Sequence, residues 1–321
     1  KEVIDAELTS YKRLYLKNNT INTLVGIGES TDYLFRGRSP VNEGVISVDA
    51  DQALRQCEEF IAMGSSGIEE KLQINRSLSD ALLVSSVIYK RLIERFGAKK
   101  VIFPGSGFCD GAAAEYAEKN KLVKFKHDFD EDIVAASKNM AKRYKCDTEH
   151  SRLVEEYALK IFDGMKKIGG FTKRDRLILR IAAMLHSCGK FINIKNSAWC
   201  GYNIILSTEI IGLSHREREI TASVVMYNTT EFDYSMTDND EDLIRTAKLT
   251  AILRIANALD RGHKNKLENL KVTINEKEKK FIISASSKED MTLERMEVDG
   301  KAGFFEEIFG YKPVFKHKKT L

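Results

Sequence analysis

Apolar positions along the chain change their period twice, and those changes divide it into three stretches. At the start, Val3, Ile4, Leu8, Tyr11 and Leu14 recur at roughly helical spacing, which predicts a helix over 1–16. Asn22-Thr-Leu-Val-Gly-Ile-Gly28 is a short apolar run ending in glycines, a buried strand entering a tight loop. Ser30-Thr-Asp32 supplies a cap for the segment that follows. A helix is expected from Asp49 to Met63, with turn chemistry at Gly64-Ser-Ser-Gly67. A long amphipathic helix over 77–96 then closes on Gly97, a C-terminal cap. Lys99-Lys-Val-Ile-Phe-Pro-Gly105 reads as a second strand, running into Gly105-Ser-Gly-Phe-Cys-Asp-Gly111 and a helix from Ala112. Strand, glycine-rich turn, helix is the unit of α/β architecture, and it fills residues 1–125.

The pattern turns helical at Lys121-Leu-Val-Lys-Phe-Lys-His-Asp128. Helices are expected at 129–144, 147–168, 172–186, 214–228 and 238–261, an all-α domain over 126–267. After Asn269 the period becomes two. Leu270-Lys-Val-Thr-Ile-Asn275 and Lys280-Phe-Ile-Ile-Ser-Ala285 flank a turn at 276–279, which is a β-hairpin. A strand near 291–298, a helix over 301–309 and a strand over 311–317 are expected to complete a small α+β domain, 268–321.

Composition supports this reading and removes some function classes. Only 3 prolines occur in 321 residues, as a helix-rich chain requires. The 51 basic and 47 acidic residues nearly cancel to +4, which argues against nucleic acid or a membrane surface as partner. No apolar run is long enough to span a bilayer. The 5 cysteines are odd in number and scattered, with no CxxC, so free thiols and a cytoplasmic location are expected. Lys1 opens on a charged amphipathic segment that reads as mid-domain helix rather than as a signal peptide.

Two glycine turns carry candidate chemistry. Backbone N–H groups converge where glycine lets them, and a following helix points its positive end there. Gly26, Gly28, Ser30 and Thr31 make one candidate phosphate loop; Gly105, Ser106 and Gly107 make the other. A tight strand-to-helix connection is the alternative for each. In the helical stretch, His150 lies on one helix, His186 ends another, and Asp260 ends a third. Imidazole and carboxylate suit a divalent metal that activates water, and the same residues equally make a satisfied polar cluster in a helical core. Cys188 does not pair with nearby His186 as a nucleophile, because close neighbours on a helix point in different directions. Trp199, the lysines over 312–319, and the cluster Lys138, Lys142, Arg143 and Lys145 read as domain-contact or solvated positions, the basic ones also as a polyanion track.

The order of these motifs resembles the exopolyphosphatase / guanosine pentaphosphate phosphohydrolase family. Val25-Gly-Ile-Gly-Glu-Ser-Thr31 falls where that family has a Gly-x-Gly-Gly-Thr loop, with Glu29 in place of a glycine. Gly107-Phe-Cys-Asp-Gly111 falls where it has Gly-Leu-Arg-Glu-Gly, with Cys109 in place of the arginine and Asp110 of the glutamate. The helical stretch resembles an HD domain with Ser187 where the His-Asp pair has its aspartate.

The resemblance implies part of an actin-like (ribonuclease-H-like) lobe followed by an HD-like domain and a small α+β domain. It also implies removal of terminal phosphate from inorganic polyphosphate or pppGpp with Mg²⁺; a homodimer is expected from the prevalence of C2 assemblies. The family's Asp-x-Gly-Ser loop, its catalytic glutamate and its Gly-Gly-Gly-Ser-Thr-Glu loop do not occur in this sequence, so catalytic residues are expected on a lobe it does not contain. Glu29, Cys109 and Ser187 raise two alternatives: a silent binding or regulatory homologue, and an HD phosphohydrolase using His150, His186 and Asp260.

Overall fold

A computed structural model describes residues 2–16, 19–36 and 44–319; the side chains of Glu29, Arg36 and Lys319 lie outside what it describes. The chain divides into two compact units, Lys1–Lys126 and His127–Leu321. Both are mostly helical, and each holds a small mixed sheet.

In the first unit, helix α1 (Glu2–Tyr11) continues into a π-helical turn, Lys12–Leu16. Strand β1 (Thr23–Val25), the single helical turn α2 (Glu29–Thr31) and a second π-helical turn (Asp32–Arg36) follow. Next come β2 (Ile46–Asp49), α3 (Ala50–Leu72), α4 (Arg76–Phe96), β3 (Lys100–Phe103) and α5 (Phe108–Lys119). The sheet order is β1-β3-β2, with β1 parallel to β3 and β2 antiparallel to it. Val101 and Phe103 point from β3 into a core shared with Phe35, Ala53, Cys57, Ile68, Leu82 and Ile93.

Three features here differ from the sequence reading. The run Gly64-Ser-Ser-Gly67 does not end α3: only Gly64 leaves helical geometry (φ 65°, ψ 175°), a kink within the helix. Strand β2 was not expected, since four residues alongside β3 carry too little pattern to be legible. Helix α5 begins four residues before Ala112, so Phe108–Gly111 form its first turn rather than a loop. Helix α4 starts on the Asn75 side chain, which accepts from the Leu78 N–H at 2.9 Å, and it ends on Gly97 in the left-handed region (φ 65°).

The second unit contains α6 (Phe129–Arg143), α7 (Thr148–Gly169), α8 (Lys173–Leu185), a 3₁₀ turn (Cys188–Phe191), α9 (Ser197–Ser207), α10 (His215–Tyr227) and α11 (Asp240–Ala258). Strands β4 (Glu268–Asn275) and β5 (Lys280–Ser287), helix α12 (Thr292–Phe309) and β6 (Lys312–Lys319) complete it. The hairpin is antiparallel, and β6 returns through α12 to lie parallel to β5. Helices and sheet share one core that includes Tyr157, Ile161, Ile178, Leu253, Phe281, Ile283 and Phe305. Gly164 lets α7 sit on the hairpin: a Cβ there would stand 2.7 Å from Val272 Cγ1.

The strand expected at 291–298 is instead the first half of α12, which buries Glu294, Val298, Ala302 and Phe305 at helical spacing. Helix α9 lies in a segment where no helix is expected, one that Asn196 and Gly201 punctuate. Gly189, in the 3₁₀ turn before α9, serves a close crossing between the two. A Cβ on Gly189 would lie 1.9 Å from the Ser197 carbonyl oxygen and 2.4 Å from the Gly201 nitrogen.

Candidate functional site

Two places gather the residues singled out by sequence. The first is built where α7 begins. Asp147 caps that helix, its Oδ1 accepting from the N–H groups of Glu149 and His150, both at 3.1 Å. The cap fixes His150 in the first turn, facing the end of α11. There His150 Nδ1–H donates to Asp260 Oδ2 at 2.7 Å, and Nε2 lies 3.1 Å from Asn257 Oδ1. His150 and Asp260 are each 2% exposed. The other oxygen, Asp260 Oδ1, accepts from the N–H groups of Lys264 and Asn265 at 3.2 and 3.1 Å.

The loop after Asp260 therefore folds back over α7. His263 and Asn265 take positive φ values, 52° and 49°, and the His263 ring stacks on His150 with centroids 3.6 Å apart. His263 Nδ1 stands 3.2 Å from Asp147 Oδ2, and hydrogen bonds from the His150 backbone and from His263 hold the Asp147 carboxyl below the usual range. A cleft of about 470 Å³ opens here, lined by Asp147, Glu149, His150, Asp260, His263 and Lys264 among others.

His186, at the end of α8, completes the cluster. Its ring centroid is 5.0 Å from that of His150, edge to face. Its Nδ1–H donates to the Ala183 carbonyl at 2.8 Å, and Nε2 has no hydrogen-bond partner. Burial is the main force that pushes the His186 pKa down to about 3, with the neighbouring His150 and Lys190 adding to it, so the ring is neutral. Ser187 is buried beside it and sits against the Cys146 thiol, whose pKa burial raises.

The structure thus brings His150, His186 and Asp260 together. As ligands for a metal ion they do not fit. His150 Nδ1 and both oxygens of Asp260 are engaged within the protein, His150 Nε2 lies against the Asn257 side-chain amide, and a serine stands at the position of the second carboxylate. Among the described residues, no group of three or more His, Cys, Asp and Glu is placed to hold a metal. Asn257 and His263, which share the cluster, escaped sequence reasoning. Asn257 is legible afterwards as one helical turn before Asp260; His263 sits in a loop where no period applies.

The second place is the carboxyl edge of β1 and β3. Because these strands are parallel neighbours, their two glycine loops emerge side by side. Gly26 N–H donates to the Ile102 carbonyl at 2.9 Å, and Gly28 N–H to that of Ser106 at 3.3 Å. Gly28 and Gly105 adopt φ values of 127° and 71°, which side-chain-bearing residues rarely take. Gly26 faces Phe103 so closely that a Cβ would meet the ring at 2.8 Å. Gly26, Gly28, Thr31, Gly105, Ser106 and Gly107 therefore converge; for Ser30 the structure gives only a half-buried position between them.

Part of the donor set is already engaged. Thr31 is buried and turns its hydroxyl onto the Gly28 carbonyl at 2.6 Å. The Asp110 carboxylate accepts from the Gly107 N–H at 2.7 Å, so the protein's own anion occupies the start of α5. Asp110 is thereby turned to capping, and among the described residues these loops gather no cluster of acidic ligands for a cation.

Comparison with known proteins agrees with the helical unit. Residues 134–300 match the sequence profile of the Ppx/GppA phosphatase family, domain III. The chain is 25% identical over 194 residues to a guanosine-5'-triphosphate,3'-diphosphate pyrophosphatase of Aeromonas hydrophila subsp. hydrophila, across 58% of this chain and 38% of that protein. It thus spans well under half the length of that relative. The profile runs from α6 into α12 and takes in His150, His186 and Asp260, and the chain belongs to the Ppx/GppA phosphatase family through this domain III.

Proposed function

We propose that this chain is a working part of a Ppx/GppA phosphohydrolase that removes terminal phosphate from pppGpp or inorganic polyphosphate. The observation that carries the proposal is the match over 134–300, which identifies the helical unit as domain III of that family. The side-by-side glycine loops on β1 and β3 support reading the first unit as part of an actin-like lobe. In this reading Gly26, Gly28, Ser30, Thr31, Gly105, Ser106 and Gly107 border the phosphates, and Mg²⁺ arrives with them. The attacking water is activated by a glutamate on a companion lobe, because phosphoryl transfer needs donors, metal and base converging from both sides. His150, His186 and Asp260 act as a structural lock in domain III. A cytoplasmic homodimer is the assembly proposed with it; no described helix is long and apolar enough to cross a membrane.

Phosphate release tests this. The 321-residue chain with Mg²⁺ is expected to release none from pppGpp or polyphosphate, whereas a protein that joins it to the family's first lobe is expected to release it from one of them. Absence of release from both by the joined protein overturns the proposal.

One observation favours a second reading, a silent phosphate-binding homologue: the Asp110 carboxylate already caps the loop at Gly107. Calorimetry with polyphosphate and pppGpp on protein shown to be inactive separates the two, since only the binder then gives a saturable heat.

A further inference from the structure

Helices α6 and α7 diverge from the tight turn that joins them and leave a cleft of about 760 Å³ over α8, within the size range of small-molecule sites. It is separate from the cleft above His150 and shares none of its lining residues. Its floor is apolar and soft, from Ala141, Cys146, Leu159 and Met184. One wall carries Lys138 and Lys142, four residues apart on the same face of α6.

Two observations indicate what this cleft takes. First, Ser151 stands in its wall only 6% exposed, and its hydroxyl has no hydrogen-bond partner. A buried hydroxyl without a partner is unusual, since burial removes its water. Second, no carboxylate pairs with Lys138 or Lys142 among the described residues. The acids of the opposite wall have other cations: Glu155 Oε1 accepts from Arg180 Nε at 2.7 Å, and Glu156 Oε1 accepts from Lys160 at 2.8 Å. Two like charges at that spacing repel each other, and an anion between them would relieve the repulsion. Burial raises the Cys146 pKa, so its thiol adds no charge, and the carboxylates in the lining, Glu155 and Glu156, are held on Arg180 and Lys160.

The geometry points to a binding site for an amphiphilic monocarboxylate: its head between Lys138, Lys142 and Ser151, its aliphatic body along Ala141, Leu159 and Met184. The floor has aliphatic and sulfur groups but no aromatic face on which a base would stack, which selects an alkyl body. The inference does not depend on the phosphohydrolase reading, because none of its residues belongs to the glycine loops or the His150 cluster.

Decanoate, added to the full chain, is the probe. A spectrum of ¹³C-methyl-labelled methionine, with the Met184 signal assigned by Met184→Leu, reads the floor of the cleft directly. Decanoate is expected to shift Met184 saturably. Decyltrimethylammonium, with the charge reversed, and tripolyphosphate, with no apolar body, are expected not to. Lys138→Gln with Lys142→Gln should weaken decanoate binding about tenfold or more, the effect of losing charge-assisted hydrogen bonds. Ser151→Ala should weaken it by about two- to tenfold. Ser151→Ala should leave the unliganded protein as stable as before, because its hydroxyl has no partner to lose; a merely structural serine would not behave so. No saturable shift, equal binding of the ammonium analogue, a Met184 shift by tripolyphosphate, or undiminished binding in the double lysine variant overturns the inference.

Discussion

Replacing Asp260 by alanine tests the reading of the histidine cluster as a lock. Asp260 accepts three hydrogen bonds: from His150 Nδ1 at 2.7 Å and from the N–H groups of Lys264 and Asn265 at 3.2 and 3.1 Å. Alanine leaves all three donors without this partner; the buried His150 N–H then costs about 1–3 kcal/mol, while the N–H groups of exposed Lys264 and Asn265 cost less because water can reach them. The three act on one site and do not add fully, so the expected loss is roughly 3–5 kcal/mol, typical of removing one partner from a buried pair. With a urea slope of about 2 kcal/mol/M, the midpoint of the second unit should fall by roughly 2 M.

Cys188 makes a selective reporter for that unit. It is fully buried, so its alkylation against urea, read by mass spectrometry, follows the opening of 127–321 without interference from 1–126. Asp260→Asn keeps an acceptor for the two backbone N–H groups and should lose about half as much. EDTA should leave the wild-type midpoint unchanged. A fall below about 0.3 M for Asp260→Ala, or one that EDTA reproduces in wild type, refutes the lock.

Three further outcomes are expected. The neutral form of His186 is favoured in the folded protein, so the unfolded chain binds the extra proton first as pH falls. Stability is therefore lost from pH 6.5 down toward about 3, and His186→Gln should flatten that part of the urea-midpoint profile. The slope at stake is at most about 1.4 kcal/mol per pH unit, with His150, Lys190 and His263 the other titratable neighbours. Gly189→Ala should destabilise the second unit by about 3 kcal/mol, as thermal unfolding will show, because its Cβ meets the backbone of Ser197 rather than a yielding side chain. Iodoacetamide on native protein should modify exposed Cys109 first and buried Cys57 and Cys188 last, both of whose pKa values burial pushes up to about 12; peptide mapping gives the order.

Much of the fold was legible because long helices repeat their pattern many times. Helices α4, α6, α7, α8, α10 and α11 lie within a few residues of their expected spans, and the hairpin was visible from its alternation. What failed was short or ambiguous. Strand β2 is four residues long, and α9 carries Asn196 and Gly201 where a turn would also place them. The strand expected at 291–298 failed because Met291 and Leu293 mimic alternation, while buried Glu294 and Val298, four residues apart, set the true helical period. At the histidine cluster, sequence order located His150, His186 and Asp260. It gave no hint that Asn257 and the backbone of Lys264 and Asn265 would engage them, because those contacts depend on a loop turning back with positive φ at His263 and Asn265.

The return of β6 through α12 sets an order in time for the second unit. The match to domain III stops at residue 300, within α12, yet Phe305 and Phe315 lie beyond it and belong to the same core as Ile161 and Ile178. Strand β5 is flanked by β4 on one side and by β6 on the other, and β6 pairs with it along its whole length. On the ribosome, the helices before Ala258 would emerge with one apolar face uncovered and stay so until the last strand was made. Parallel pairing also closes slowly, since its partners are far apart in sequence. The interval between synthesis of α11 and docking of β6 is therefore when this chain most needs protection from aggregation.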